Sequence, residues 1–201
     1  MSSFIGHSLT AGIVYVCGAR GRENGKPTKS LMWLGVLLLA ATAPDLDYLV
    51  PWLSKNAHEG LRITHSIAFS LLVPTLVTCG LFAMGIRGRK LFWLSLQVTL
   101  AGLSHVVLDF CVGVHPMPLF WPLHDAVYKS SVGILPSSGA LDLTNFYLYR
   151  NLLIELGILV PIYVAVYLAI RGETTARTRL IQSVLVVIAA LFVIWSVSLS
   201  R

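Results

Sequence analysis

Residues 180–199 read LIQSVLVVIAALFVIWSVSL, twenty positions without a charge. A helix of that length rises about 30 Å, the thickness of a bilayer's hydrocarbon core. Ile67–Ile86 is as clean, interrupted only by Pro74, which spanning helices tolerate. Leu91–Val114 is long enough but carries His105 and Asp109, and Leu152–Ile170 carries Glu155 near its start. Two shorter runs come first: Phe4–Ala19, which holds His7, and Leu31–Ala43, which stops at Pro44. Composition agrees with these runs. Of the 201 residues, 56% are hydrophobic and only 12% charged, about half the charge of an ordinary soluble domain. The fold class expected is therefore all-α, a multi-pass membrane bundle of about six helices, in one domain over residues 1–201. Repeats, low-complexity tracts and a second domain are absent from the sequence.

Charge sets the expected orientation. Arg20, Arg22, Lys26, Lys29, Arg87, Arg89, Lys90, Arg171, Arg177 and Arg179 fall in one set of alternate loops, against Glu23 and Glu173. Lys55, Arg62, Lys129, Arg150 and Arg201 fall in the other set, with most of the acids. The positive-inside rule makes the first set cytoplasmic and puts both termini outside. The net charge of +6 is thus explained by membrane orientation, and nucleic acid is excluded as a partner. No basic residue precedes the first apolar run, which argues for an N-out helix rather than a cleaved signal peptide. Cys17, Cys79 and Cys111 lie in or beside apolar segments without metal-ligand spacing, and read as packing residues. The long stretch His115–Arg150, rich in Pro, Gly and Ser, is expected to be an outer loop, and loops of that length usually carry function.

On this topology the unusual polar residues gather at one side. His7 lies near the outer end of helix one. Asp45 and Asp47, in Ala-Pro-Asp-Leu-Asp, follow the outer end of helix two. His65, in Arg62-Ile-Thr-His-Ser66, opens helix three, and His105 and Asp109 lie in the outer half of helix four. His105 and Asp109 are four apart, so they share a helix face, the arrangement for two ligands on one metal. Pro44 biases Ala43 out of helical geometry, and an extended Asp-x-Asp beyond it would point both carboxylates the same way. A charge at mid-bilayer costs about 2.5–3.5 kcal/mol, so these aspartates must face inward or lie at the interface. Carboxylates that converge without a cation repel, and one or two divalent cations remove that repulsion. Mixed His/Asp ligation suits Zn²⁺ first, then Mn²⁺ or Fe²⁺. The metal ligands expected are His7, Asp45, His65, His105 and Asp109. Asp45 or Asp47 is expected to act as base, and Arg62 to hold an anionic substrate by bidentate hydrogen bonds. His58, Glu59, His115, His124, Asp125 and Glu155 are further candidates near the outer face. Phe120, Trp121 and Tyr147–Tyr149 read as an aromatic belt at the outer interface.

Gly6-His7-Ser8, Ala43-Pro44-Asp45-Leu46-Asp47, Arg62-Ile63-Thr64-His65-Ser66, Ser104-His105-Val106-Val107-Leu108-Asp109 and Pro118-Leu119-Phe120-Trp121-Pro122 occur in that order. This set, over residues 1 to about 125, resembles a family of bacterial inner-membrane, predicted metal-dependent hydrolases, some described as LexA-regulated. The order His, Asp, His, His-x-x-x-Asp is also similar to the zinc-dependent phospholipases C and related nucleases. That second resemblance would assign His65, His105 and Asp109 to one zinc and let Asp109 bridge to a second metal with His7. An aspartate of the Asp45–Asp47 segment would be the base, and His115, His124 and Glu155 are candidates for a third metal. The chain departs from the commoner His-Arg-Gly-x-Thr-His-Ser form, with His58-Glu59-Gly60-Leu61-Arg62-Ile63-Thr64-His65.

The activity expected is hydrolysis of a phosphoester, of the phospholipase C or phosphodiesterase kind, at the outer side of a bacterial inner membrane. The lipid bilayer is the partner; the substrate is a phosphoester, of a lipid or of another molecule, and an amide or ester bond stays open because the carboxylate is not diagnostic of the bond attacked. The contrasting expectation is a non-catalytic metal transporter or sensor with the same ligands. Transport would require polar groups continuing to the cytoplasmic face, and the inner halves of these runs are nearly all apolar.

Overall fold

The computed structural model describes residues 3–18, 28–50, 61–137, 144–172 and 175–199. His58, Glu59, Lys55 and the basic residues Arg20, Arg22, Lys26 and Arg201 lie outside them. The described residues form α1 (Phe4–Gly18), α2 (Thr28–Thr42), a 3-10 helix (Ala43–Leu49), a 3-10 turn (Ile63–His65), α3 (Ile67–Ser70), α4 (Leu72–Ala83), α5 (Gly88–Val112), α6 (Phe146–Arg171) and α7 (Ala176–Ser198). Among them no strand occurs beyond one isolated bridge, Met117 with Tyr128. Counting α3 and α4 as one bent segment, there are six helical segments, as the apolar runs predict. α5, α6 and α7 are long and apolar enough to cross a membrane. α1 has 15 residues and spans about 22 Å.

Local chemistry explains where the boundaries fall. α5 stops at Val112 rather than Val114 because Gly113 turns left-handed, with φ at 64°. α6 starts at Phe146, six residues before the apolar run. The side chain of Asn145 accepts from the Tyr147 N–H and caps the helix there. So Phe146, Tyr147 and Tyr149 belong to the first turn of a helix, with exposed rings, rather than to the preceding loop. The bend between α3 and α4 comes from Pro74. It has no N–H for the Ser70 carbonyl and its ring crowds that oxygen. The displaced carbonyl meets α5 at Gly102, where a Cβ would stand 2.6 Å from the Ser70 oxygen.

Pairs of buried contacts give the helix directions. Trp33 Nε1 donates to Gln97 Oε1 at 2.9 Å, and His105 Nδ1 meets the Ala41 carbonyl at 2.9 Å, both pairs 64 residues apart. α2 and α5 therefore run parallel and in register. The Ser3 N–H donates to Glu155 at 3.0 Å, and Thr10 hydrogen-bonds Tyr163, so α1 and α6 are parallel too. Gly18 packs on Gln97 while His7 reaches Asp109, which makes α1 antiparallel to α5. Gln182 bonds the Ala165 carbonyl and Gly157 receives the Phe192 ring, so α7 returns antiparallel to α6. The segments thus alternate, and the start of α1 and the end of α7 share one end of the bundle. Arg87, Arg89, Lys90, Arg171, Arg177 and Arg179 lie at the opposite end. The stretch from Gly113 to Ser137 folds over the first end, tied down where Ile67 N–H donates to Leu119 and where Ile134 and Leu135 donate to Cys111.

Small residues set how closely these helices approach. Gly102→Val would drive α3 away from α5 and should cost about 1–3 kcal/mol, read as a lower unfolding midpoint in detergent. Gly12→Ala, where the added carbon meets open space inside α1 and helix propensity rises, should not lower the midpoint.

Candidate metal centre

Four segments deliver side chains to the end of the bundle where α1 begins and α5 ends. α1 brings His7, one turn in from its start. The 3-10 helix after α2 brings Asp45, the turn before α3 brings His65, and the last turns of α5 bring His105 and Asp109. Asp45, His65, His105 and Asp109 each offer one ligand atom, and these atoms all lie within 4.8 Å of one another. His65 Nε2 is 3.2 Å from His105 Nε2, 3.1 Å from Asp109 Oδ2 and 3.5 Å from Asp45 Oδ1. His105 Nε2 is 3.6 Å from Asp109 Oδ2 and 3.8 Å from Asp45 Oδ1. Four ligands at 2.0–2.1 Å around a tetrahedral Zn²⁺ are separated by about 3.3 Å, so these spacings fit such an ion.

His7 approaches from the other side of the same carboxylates. Its Nε2 is 3.5 Å from Asp109 Oδ1 and 3.9 Å from Asp45 Oδ2. The ring is fully buried, and neither nitrogen has a hydrogen-bond partner among the described residues. It stacks on the His105 ring with centroids 4.0 Å apart and planes 15° from parallel. Each aspartate thus turns one oxygen toward His65 and His105 and the other toward His7. α1 is held at this height by α6: Glu155 accepts from Ser3, and Tyr163 bonds Thr10, one turn to either side of His7.

The donor set suits a cation. Asp45 and Asp109 accept hydrogen bonds and donate none. The Ala41 carbonyl also only accepts, so His105 Nδ1 carries the proton and its Nε2 presents a lone pair to the cluster. His7 is a buried imidazole whose nitrogens make no hydrogen bond among the described residues, which is rare, since buried polar atoms are almost always bonded. Asp45 is 15% exposed and Arg62 13%, so they form the open rim of an otherwise closed cluster.

The Asp45–Asp47 segment differs from the expected extended conformation. Chain direction continues from α2 into a 3-10 helix, with Pro44 in its first turn, where its missing N–H costs nothing. At about three residues per turn, positions two apart diverge by about a third of a circle. Asp45 therefore faces the cluster while Asp47 turns aside. Asp47 accepts from Arg62 Nε and Nη2, both at 2.8 Å, and from Thr64 Oγ1 at 2.7 Å. Arg62 Nη2 also reaches Asp45 Oδ1 at 3.4 Å.

His115 and His124 are exposed on the overlying stretch, and His124 Nδ1 accepts from Ala126 N–H at 2.9 Å. Glu155 is buried beside Ser3 rather than in the cluster. Two contributors escaped the sequence reading. The Ala41 carbonyl is backbone and leaves no signal. Thr64 carries no ligand chemistry of its own in the sequence, and Ser66, two positions on, caps α3 by accepting from Phe69 N–H.

A family model described as YdjM inner membrane protein matches residues 1–200. The chain belongs to the YdjM inner membrane protein family. No curated protein and no solved structure matches the chain. Membership in the YdjM family agrees with the bacterial inner-membrane resemblance drawn from the motifs. It also agrees with the three spans, so this YdjM chain is an inner membrane protein with a candidate Asp/His metal-binding cluster.

Cation binding should depend on pH. Burial works against the charged form of His65, but hydrogen bonds to Asp109 and Asp45 outweigh it and raise its pKa above the ordinary histidine value. A cation needs the deprotonated ring, so protons compete, and more strongly than at a free histidine. Affinity measured by chelator competition should be full above the raised pKa and fall as the pH drops through it. A flat profile between about pH 8 and pH 5 would contradict His65 as a ligand.

Proposed function

We propose that this chain is a membrane-embedded, metal-dependent hydrolase of phosphoester bonds, acting on a lipid substrate at the outer, periplasmic side. The observation that carries the reading is the convergence of two aspartates and three buried histidines from four segments of the fold, with the ligand atoms of Asp45, His65, His105 and Asp109 all within 4.8 Å of one another. His65, His105, Asp45 Oδ1 and Asp109 Oδ2 would hold one cation, and His7 with Asp45 Oδ2 and Asp109 Oδ1 a second. Zn²⁺ is the first choice for this donor set, with Mn²⁺ and Fe²⁺ behind it. Bound divalent cations supply acidified water and a Lewis acid for the phosphoryl oxygens.

The protein's own groups account for the rest. Asp109, buried between three imidazoles, compensates the cationic charge. Asp45 sits at the rim, where a proton can leave the cluster to solvent. Arg62, held flat by Asp47, sets a guanidinium beside the same rim, where its N–H groups would help to orient an anionic substrate. The rim lies at the end of the bundle away from the basic loop residues, which the positive-inside rule assigns to the periplasmic side. A headgroup phosphate would reach it from the bilayer without crossing the apolar core.

The test uses protein purified in detergent, with elemental analysis and hydrolysis of an aryl phosphodiester and of phospholipid in mixed micelles. His105→Ala and Asp109→Ala should each lose the bound metal and lower the rate by about a hundredfold or more, while still inserting in the membrane. Full activity in either variant would remove the assignment. Metal uptake into sealed vesicles with no hydrolysis would favour transport instead.

A further inference from the structure

We infer that Asp47 and Thr64 are positioning residues that fix the tautomer of His65, and that Asp47 is not the proton acceptor. The inference rests on the cation-site reading and assigns two residues outside the cluster of ligands. Asp47 is buried, and its two oxygens receive three hydrogen bonds, two of them from a guanidinium. Both oxygens are thus taken up by Arg62 and Thr64, and neither is turned toward the cluster of ligands. What it does instead follows from the one hydrogen on Thr64.

Thr64 Oγ1 stands 2.7 Å from Asp47 Oδ2 and 3.0 Å from His65 Nδ1. Ionised Asp47 only accepts, so the hydroxyl hydrogen goes to it. The hydroxyl oxygen then accepts, and His65 Nδ1 must be the donor. The neutral ring keeps its proton on Nδ1, and Nε2 is left as a lone pair facing His105 Nε2 at 3.2 Å. His105 is fixed in the same tautomer by the Ala41 carbonyl. Two imidazole lone pairs then point at each other across a distance that suits a shared cation and no hydrogen bond between neutral rings. The chain Arg62, Asp47, Thr64, His65 performs for one histidine what a backbone carbonyl performs for the other. Partners of this kind raise ligand basicity and typically contribute 10–100-fold in metal affinity.

The experiment measures Zn²⁺ affinity by chelator competition, and Co²⁺ absorption as a report on ligand geometry, in the purified full chain. Thr64→Val keeps the shape but removes the hydroxyl. It should weaken Zn²⁺ by about 10–100-fold and alter the Co²⁺ bands, and Thr64→Ser should restore both. Asp47→Asn should weaken Zn²⁺ likewise, and excess Zn²⁺ should return most of any hydrolytic rate. Unchanged affinity in Asp47→Asn, with a rate that no excess of Zn²⁺ restores, would make Asp47 the base and overturn the inference. Equal losses in Thr64→Ser and Thr64→Val would show that packing matters and the hydroxyl does not, and would overturn it too. Should the variants fail to fold, ¹⁵N chemical shifts of the metal-free wild-type chain decide, since an unprotonated His65 Nδ1 is incompatible with the relay. None of these affinity readouts needs a substrate, so they stand apart from success or failure of the hydrolase reading.

Discussion

Groups that only accept hydrogen bonds are concentrated at one end of this bundle, where little water reaches them. Asp45 and Asp109 supply carboxylate oxygens, His105 supplies a lone pair, and His7 approaches the far oxygens of both carboxylates at 3.5 and 3.9 Å. In bulk water each would be solvated separately. Between apolar helices each must find a positive partner nearby or bear the cost of desolvation. Much of the rest of the structure can be understood as the means of holding these groups at fixed separations while keeping lipid away from them.

Helix direction does the first part of that work. Parallel pairs, α1 with α6 and α2 with α5, are each tied by two polar contacts in register, so one bond fixes the height of the other. Trp33 with Gln97 sets the level of Ala41 with His105 two turns away. The Glu155 and Tyr163 contacts set the level of His7 from both sides. Pro74 and Gly102 then bring α3 against α5, which seats His65 beside His105. Such contacts are dependable in a membrane because a displaced polar group meets hydrocarbon rather than water.

The apolar runs and the basic loops made the bundle legible, because hydrophobic thickness and charge asymmetry are written residue by residue. The spacing of His105 and Asp109 was legible for the same reason, since a helix face is fixed by counting. The path through Asp45 and Asp47 was not. A proline after a helix is compatible with an extended exit or with a tighter helix, and the choice fell to tertiary bonds from Arg62 and Thr64, residues 15 and 17 positions onward for Asp47. Roles that depend on backbone atoms, such as the Ala41 carbonyl, have no side chain to betray them. His7 is legible as a ligand candidate from its place near the outer end of a helix, but which carboxylate oxygens it faces is set by the packing of α1.

Charge accounting ties the cluster to the chemistry proposed for it. Asp47 and Arg62 cancel as a pair beside the site. Asp45 and Asp109 with three neutral imidazoles carry −2, so one divalent cation brings the total to 0 and two bring it to +2. A neutral site inside an apolar end is the cheaper resting state and attracts no anion. At +2 the site would be costly when empty of substrate, and a phosphodiester together with an anion derived from water would return it to neutrality. A second ion bound through His7 would therefore convert a structural staple into a site with affinity for phosphate. The partition of carboxylate oxygens between His7 on one side and His65 with His105 on the other is the arrangement such a conversion requires.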